Sequence, residues 1–177
     1  NKFGTGCTSN TLGNYHGTHE FGDNCQYNMF GNDCYSNKFG NNCQSNTFGS
    51  GCSFNTFVNS CSKNMLGNNC QNNKFGDNCQ SNTFGNNCGS NTFGTTCYYN
   101  TFGNGFNSNT FGTDCKSSTF GNDCQFNNFY AGNAVDAGTT KKDYIRYIVL
   151  EDGCAYNNFY SAITTSYTSY LQRIRVK

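Results

Sequence analysis

The sequence predicts an all-β fold, a β-solenoid (β-helix) of nonapeptide repeats, on three observations. A nine-residue unit, Asn-x-Phe-Gly-x-x-Cys-x-x, recurs from Asn1 to Phe129. Its apolar residues stand four and five apart, which builds no continuous 3.6-residue stripe and excludes a helix. Gly and Asn, both poor in helix interiors, fill the spaces between them.

Each position of the unit has its own chemistry. Position one is Asn, as in Asn37, Asn46 and Asn55, with His19 and Ser118 as departures. Position three is Phe except at Leu12 and Leu66, and position four is Gly except at Val58 and Tyr130. Position seven is Cys, replaced by His16 and Phe106. Asn-x-Phe reads as a three-residue strand with positions one and three on one face. Gly followed by Asn-Asn, Asn-Asp or Asp-Asn reads as a turn, because Gly and Asn tolerate positive φ. Cys-x-x is then expected to begin the next short strand. Phe and Cys point inward; position two, mostly Thr or Lys, and position eight, often Gln, point out.

One nonapeptide is too short to close a coil, so two units should form an 18-residue coil. A 36-residue superperiod agrees with an even number of units per coil: Lys2, Lys38 and Lys74 recur at that interval, as do Met29 and Met65. Stacked coils would lie ~4.7–4.9 Å apart, Phe on Phe and Cys on Cys. Asn side chains would bond to their counterparts above and below, as they do in stacked parallel strands. An intertwined three-chain β-helix is the alternative to a single-chain coil.

The thirteen Cys are an odd number at a spacing of nine. In-register neighbours would hold parallel Cβ vectors wider apart than the ~3.8 Å a disulfide prefers. Zinc needs four tetrahedral ligands, and the sequence has no Cys-x-x-Cys pair. Free thiols packed as small buried hydrophobes are therefore expected. Calcium is weakly signalled, since Asp23, Asp33, Asp77, Asp114 and Asp123 wander between positions five and six. No metal and no cofactor is expected. His16, His19 and Glu20 fall in an irregular unit and read as a surface turn rather than a catalytic group.

Two regions follow: a nonapeptide-repeat β-solenoid over 1–129 and a β-rich C-terminal cap, or the start of a distal domain, over 130–177. Residues 130–140 read as a loop and 144–150 as the most β-prone run of the chain. Residues 154–159 repeat the Cys-x-x-Asn-x-Phe spacing, and 163–167 and 170–176 alternate as strands.

Composition narrows the function. Leu, Ile, Val and Phe make 29 of 177 residues, a low share, yet their strict phasing and a net charge of +1 exclude disorder. Near-neutral charge excludes a nucleic-acid partner, which needs clustered Lys and Arg. No apolar run approaches the ~20 residues of a helical membrane span, so no membrane insertion is expected. The low apolar content, a start in mid-repeat and an end on a strand lead us to expect a homo-oligomer, with a trimer foremost, or a segment of a longer fibre. Phosphate-loop, zinc-protease and nucleophile-elbow motifs are absent from the sequence, and a non-enzymatic protein is expected.

On this repeat the chain resembles the Asn-Thr-Phe-Gly-Asn-x-Cys nonapeptide-repeat proteins of gut bacteria and their phages. The match is close over 1–129 and loose over the tail. The resemblance implies a phage tail-fibre or tailspike-like part, or a bacterial surface protein, and so a virion or extracellular location. The expected function is a structural rod that presents a binding end to a host surface glycan or receptor. Tyr35 and Tyr98, outward on the repeat, are the candidate sugar-stacking residues, against the plainer role of good strand formers. Two alternatives stay open: a polysaccharide-degrading tailspike, which needs paired carboxylates, and an ice-binding ladder of outward Thr such as Thr47, Thr83 and Thr101.

Overall fold

The computed structural model describes residues 1–113, 115, 117–130, 149–150, 154, 156–160 and 175–176. The strands are β1 (Lys2–Phe3), β2 (Thr11–Leu12), β3 (Glu20–Phe21), β4 (Met29–Phe30), β5 (Lys38–Phe39) and β6 (Thr47–Phe48). There follow β7 (Thr56–Phe57), β8 (Met65–Leu66), β9 (Lys74–Phe75), β10 (Thr83–Phe84), β11 (Thr92–Phe93) and β12 (Thr101–Phe102). The last are β13 (Thr110–Phe111), β14 (Thr119–Phe120), β15 (Asn128–Tyr130), β16 (Val149–Leu150), β17 (Asn158–Tyr160) and β18 (Arg175–Val176). Odd strands form one parallel nine-stranded sheet and even strands another. Lys2 pairs with Glu20 and Phe3 with Phe21, a step of one 18-residue coil. The coil therefore closes within one chain, from two nonapeptides, in a β-solenoid.

The two sheets face each other across a core of Phe. Phe57 stacks on Phe39 at 4.9 Å and on Phe75 at 4.4 Å within its own sheet. It meets Phe48 of the other sheet edge-on at 5.4 Å and 83°. Offset stacking and edge-to-face contact are the arrangements the ring quadrupole favours, so the herringbone gains more than apolar area alone. Leu66 takes one rung of the Phe column without opening it.

Beside the rings run two ladders of buried Asn. The backbone N–H and Nδ2 of Asn55 both donate to Oδ1 of Asn73, one coil on, at 2.9 and 3.2 Å. The second Nδ2 hydrogen reaches back to the carbonyl of Cys34 at 3.1 Å. The amide of Asn55 is thus saturated, and among the described residues no buried side-chain N or O lacks a partner. This is why position one favours Asn over other polar residues. His19 corrects the sequence expectation of a surface turn: it is buried in an Asn slot, and its backbone N–H donates to Oδ1 of Asn37 at 3.1 Å.

The turns differ from the expectation in two ways. The position-four Gly does not supply the positive φ. At Gly67 a Cβ would lie 2.8 Å from the carbonyl carbon of Gly49 in the preceding coil, so Gly serves close approach between coils. The left-handed residue is position six, as in Asn42 (φ 57°) and Asn87 (φ 57°). Position nine is a second left-handed corner, at Ser45 (φ 56°), Phe54 (φ 59°) and Asn72 (φ 55°). Cys-x-x is therefore a short side of the coil ended by a corner, and not the start of the next strand.

The two sheets continue beyond Tyr130. β17 pairs with β15 in register Phe159 to Phe129, and β16 with β14 in register Leu150 to Phe120. β18 adds to β16. Nδ2 of Asn127 donates to Oδ1 of Asn157 at 3.0 Å, which carries the ladder forward. Tyr130, expected to open a loop, instead ends β15 and pairs with Tyr160. Residues 131–140 of that expected loop, residues 144–148 of the β-prone run, the segment 163–167 and residues 170–174 lie outside the described residues.

All thirteen Cys are free thiols, eleven of them buried. Each buried Sγ donates to a carbonyl of the preceding coil, as Cys61 does to Gly40 at 3.2 Å. Burial pushes the thiol of Cys25 up to about 11 and that of Cys124 to about 12, from an ordinary 9.0. A raised folded-state value adds stability that is complete below pH 9 and is lost as the pH climbs through 11 to 12. Two results are expected. Only Cys7 and Cys154, half-buried at the two ends of the stack, should react with a thiol reagent before denaturant is added. The denaturation midpoint should stay flat to pH 9 and then fall.

Candidate recognition surface

Outward side chains are sorted by the coil into columns. Position two of the even units runs Met29, Thr47, Met65, Thr83 up one sheet. Position two of the odd units begins Lys2, Glu20, Lys38 on the other, with Lys2 and Glu20 paired at 3.2 Å. Thr therefore divides between two faces. Its longest unbroken run among the described residues is three, Thr83, Thr101 and Thr119.

Tyr35 and Tyr98 both occupy position eight, but the structure does not bring them together. Tyr35 follows β4 of one sheet and Tyr98 follows β11 of the other. They lie three and a half coils apart along the axis, ~17 Å at the usual strand spacing. The Tyr35 ring lies back over Gly17, where an added Cβ would come within 2.6 Å of it. Tyr98 is half-buried and meets Tyr99 edge-on at 5.2 Å.

Tyr15, the most exposed of the described aromatic residues, stands on a left-handed position-six turn (φ 62°), and five others stand on the position-nine corners. Tyr27, Phe54, Tyr99, Phe126 and Tyr156 are all exposed there. Each holds a positive φ, between 54° and 59°. A bulky side chain in that region costs roughly 1–2 kcal/mol, and the repeat elsewhere places mostly Ser at these corners, with Asn72, Thr18 and Lys63 besides. Phe126 and Tyr156, neighbours in one column, stack at 5.2 Å and 7° while remaining 52% and 71% exposed. Sequence reasoning missed this set because position nine varies freely. The signal was there: aromatic residues replace Ser at a position that buries nothing. Phe54→Asn, which copies Asn72 one coil on, should stabilise the fold by up to about 1 kcal/mol, read as a higher denaturation midpoint.

The described carboxylates form no catalytic pair along a column. Asp23 and Asp77 share one, three coils and ~14 Å apart. Glycoside hydrolysis sets its carboxyls ~5–9.5 Å apart. Both acids have a structural task, accepting the backbone N–H of the residue one coil on, Asn41 at 2.6 Å and Thr95 at 2.7 Å. Among the described residues no group of three or more His, Cys, Asp or Glu converges to hold a metal ion. No described helix is long and apolar enough to cross a membrane.

Fold and surface together define a class, the single-chain β-solenoid with an Asn-, Phe- and Cys-laddered core. Comparison with protein-family models, with curated proteins and with solved structures finds no match for this chain.

Proposed function

We propose that this chain is a non-enzymatic recognition rod, part of a phage tail fibre or a cell-surface adhesin, acting on a virion or cell surface. Its ligand is an uncharged glycan on a host surface. The observation that carries the reading is the exposed aromatic set on left-handed corners, where it weakens the fold and packs into no core. Aromatic faces take up the C–H face of a sugar ring, and the surrounding Asn, Ser, Thr and Gln supply hydrogen bonds. A net charge of +1 suits a neutral ligand better than an acidic one. The divided Thr columns and the separated Asp residues count against ice binding and polysaccharide cleavage.

A glycan array probed with the 177-residue chain tests this, alongside Phe126→Ser and Tyr156→Ser. Binding by the parent, at least tenfold weaker in either variant, is the expected outcome. An array without signal rejects glycan recognition, and new reducing ends released from a bound glycan would reject the non-enzymatic reading. The rod is proposed to work as a homo-oligomer, with a trimer as the leading form. Light scattering that holds at 19.5 kDa across a wide concentration range would reject that part.

A further inference from the structure

The thiol columns are the part of the molecule that rod and recognition leave unused. One column runs from Cys7 to Cys115 at eighteen-residue intervals without interruption. The other is broken by Phe106, a ring in a Cys slot. Along the first column each thiol repeats the same contact one coil on, Cys43 donating to the carbonyl of Gly22, Cys61 to Gly40, Cys97 to Gly76 and Cys115 to Gly94 at 3.2–3.4 Å, so consecutive sulfurs stand one above another. The shaft is lined by sulfur, Phe rings and Gly carbonyls.

From this geometry we infer that the uninterrupted thiol column is a binding site for soft monovalent d10 ions, Cu(I) or Ag(I), each held between two successive sulfurs. Stacked coils set those sulfurs ~4.7–4.9 Å apart. Two metal–sulfur bonds of about 2.3 Å, the length seen for zinc thiolates, span about 4.6 Å in a line. Zinc itself is excluded, because it needs four ligands in a tetrahedron and the column offers sulfur only above and below. Hard ions are excluded because soft ligands select soft metals. Charge also balances. On binding, one S–H bond breaks, one sulfur–metal bond forms, the neighbouring thiol adds a lone pair, and one proton leaves to solvent. No electron is transferred, and the buried column stays neutral, so no charge has to be stripped of water.

The test is a titration of the 177-residue chain with Ag(I), which needs no reductant. Native mass spectrometry counts the ions, a pH-stat counts protons, and far-ultraviolet circular dichroism follows the fold. A second sample is refolded in Ag(I), which removes slow entry as an obstacle. We expect several ions per chain, one proton released for each, and an unchanged β spectrum. An ion that needs a sulfur on each side makes Cys61→Ser, in mid-column, lose one ion more than Cys7→Ser at its end. Should Cys61→Ser fail to fold, Cys25→Ser divides the column equally well for this comparison. Equal losses from the two variants would mean ordinary one-to-one capping of thiols and would overturn the inference. So would loss of the β spectrum on uptake, or a refolded sample that carries no silver.

Discussion

Asn73→Ala is expected to lower stability by about 2–6 kcal/mol, from two buried polar groups orphaned at about 1–3 kcal/mol each. The backbone N–H of Asn55 loses its acceptor, and the carbonyl of Cys52 loses the Nδ2 that now donates to it at 3.0 Å. Nothing else is near enough to replace them, because the ladder is closed on both sides by its own repeats. Asn73→Ser should recover part of the loss. Ser118 already does this job in the other ladder, where its Oγ accepts the backbone N–H of Asn100 at 3.3 Å. Chemical denaturation of the two variants, with exposed Lys74→Ala as a control, reads the difference. An Asn73→Ala midpoint equal to that of Lys74→Ala would show that the ladder contributes no stability.

Phe57→Ala should be comparably severe, at about 3–5 kcal/mol. The ring is fully buried and touches Phe39, Phe75 and Phe48 at once, so the cavity it leaves is walled by three rigid rings held in their own columns. Phe57→Leu should cost about 1 kcal/mol or less, in the range of volume-conserving swaps, since Leu66 is buried in the equivalent slot of the other sheet. In a nearly one-dimensional stack the damage falls mainly on the two neighbouring interfaces. A variant that fails there can unravel from the nearer end, and a lowered m-value would be its signature. A loss for Phe57→Leu as large as for Phe57→Ala would show that ring stacking, rather than volume, holds the column.

Most of the architecture was legible because each inward position has a chemical reason that survives without coordinates. A period of nine that doubles to eighteen, Phe and Cys inside, and Asn above Asn follow from strand alternation and amide satisfaction. Two things were not legible. Position-four Gly was assigned to positive φ, its commonest use, while its role is to let one coil touch the next, a tertiary contact the local sequence does not display. The position-nine corner was hidden because Ser45, Lys63 and Phe126 share no turn chemistry, although all three are left-handed. That oversight moved the candidate aromatic residues from the corners to Tyr35 and Tyr98. Their separation onto different sheets was already implicit in a two-unit coil, since residues 63 apart are an odd number of repeats apart.

The two-sheet coil also fixes how the protein can change length. Removing or adding eighteen residues leaves every downstream side chain on its original side and merely shortens or extends the rod. An indel of nine keeps the core intact, since the units are interchangeable inside, yet rotates everything after it by half a turn. The Lys2, Glu20 and Lys38 stripe would then continue into the Met29 and Met65 stripe. Asn127 and Asn157, thirty residues apart, meet in the same ladder, so the chain between them returns in phase without being a whole number of repeats. Foldability tolerates slips of nine; a ligand that spans several coils would not.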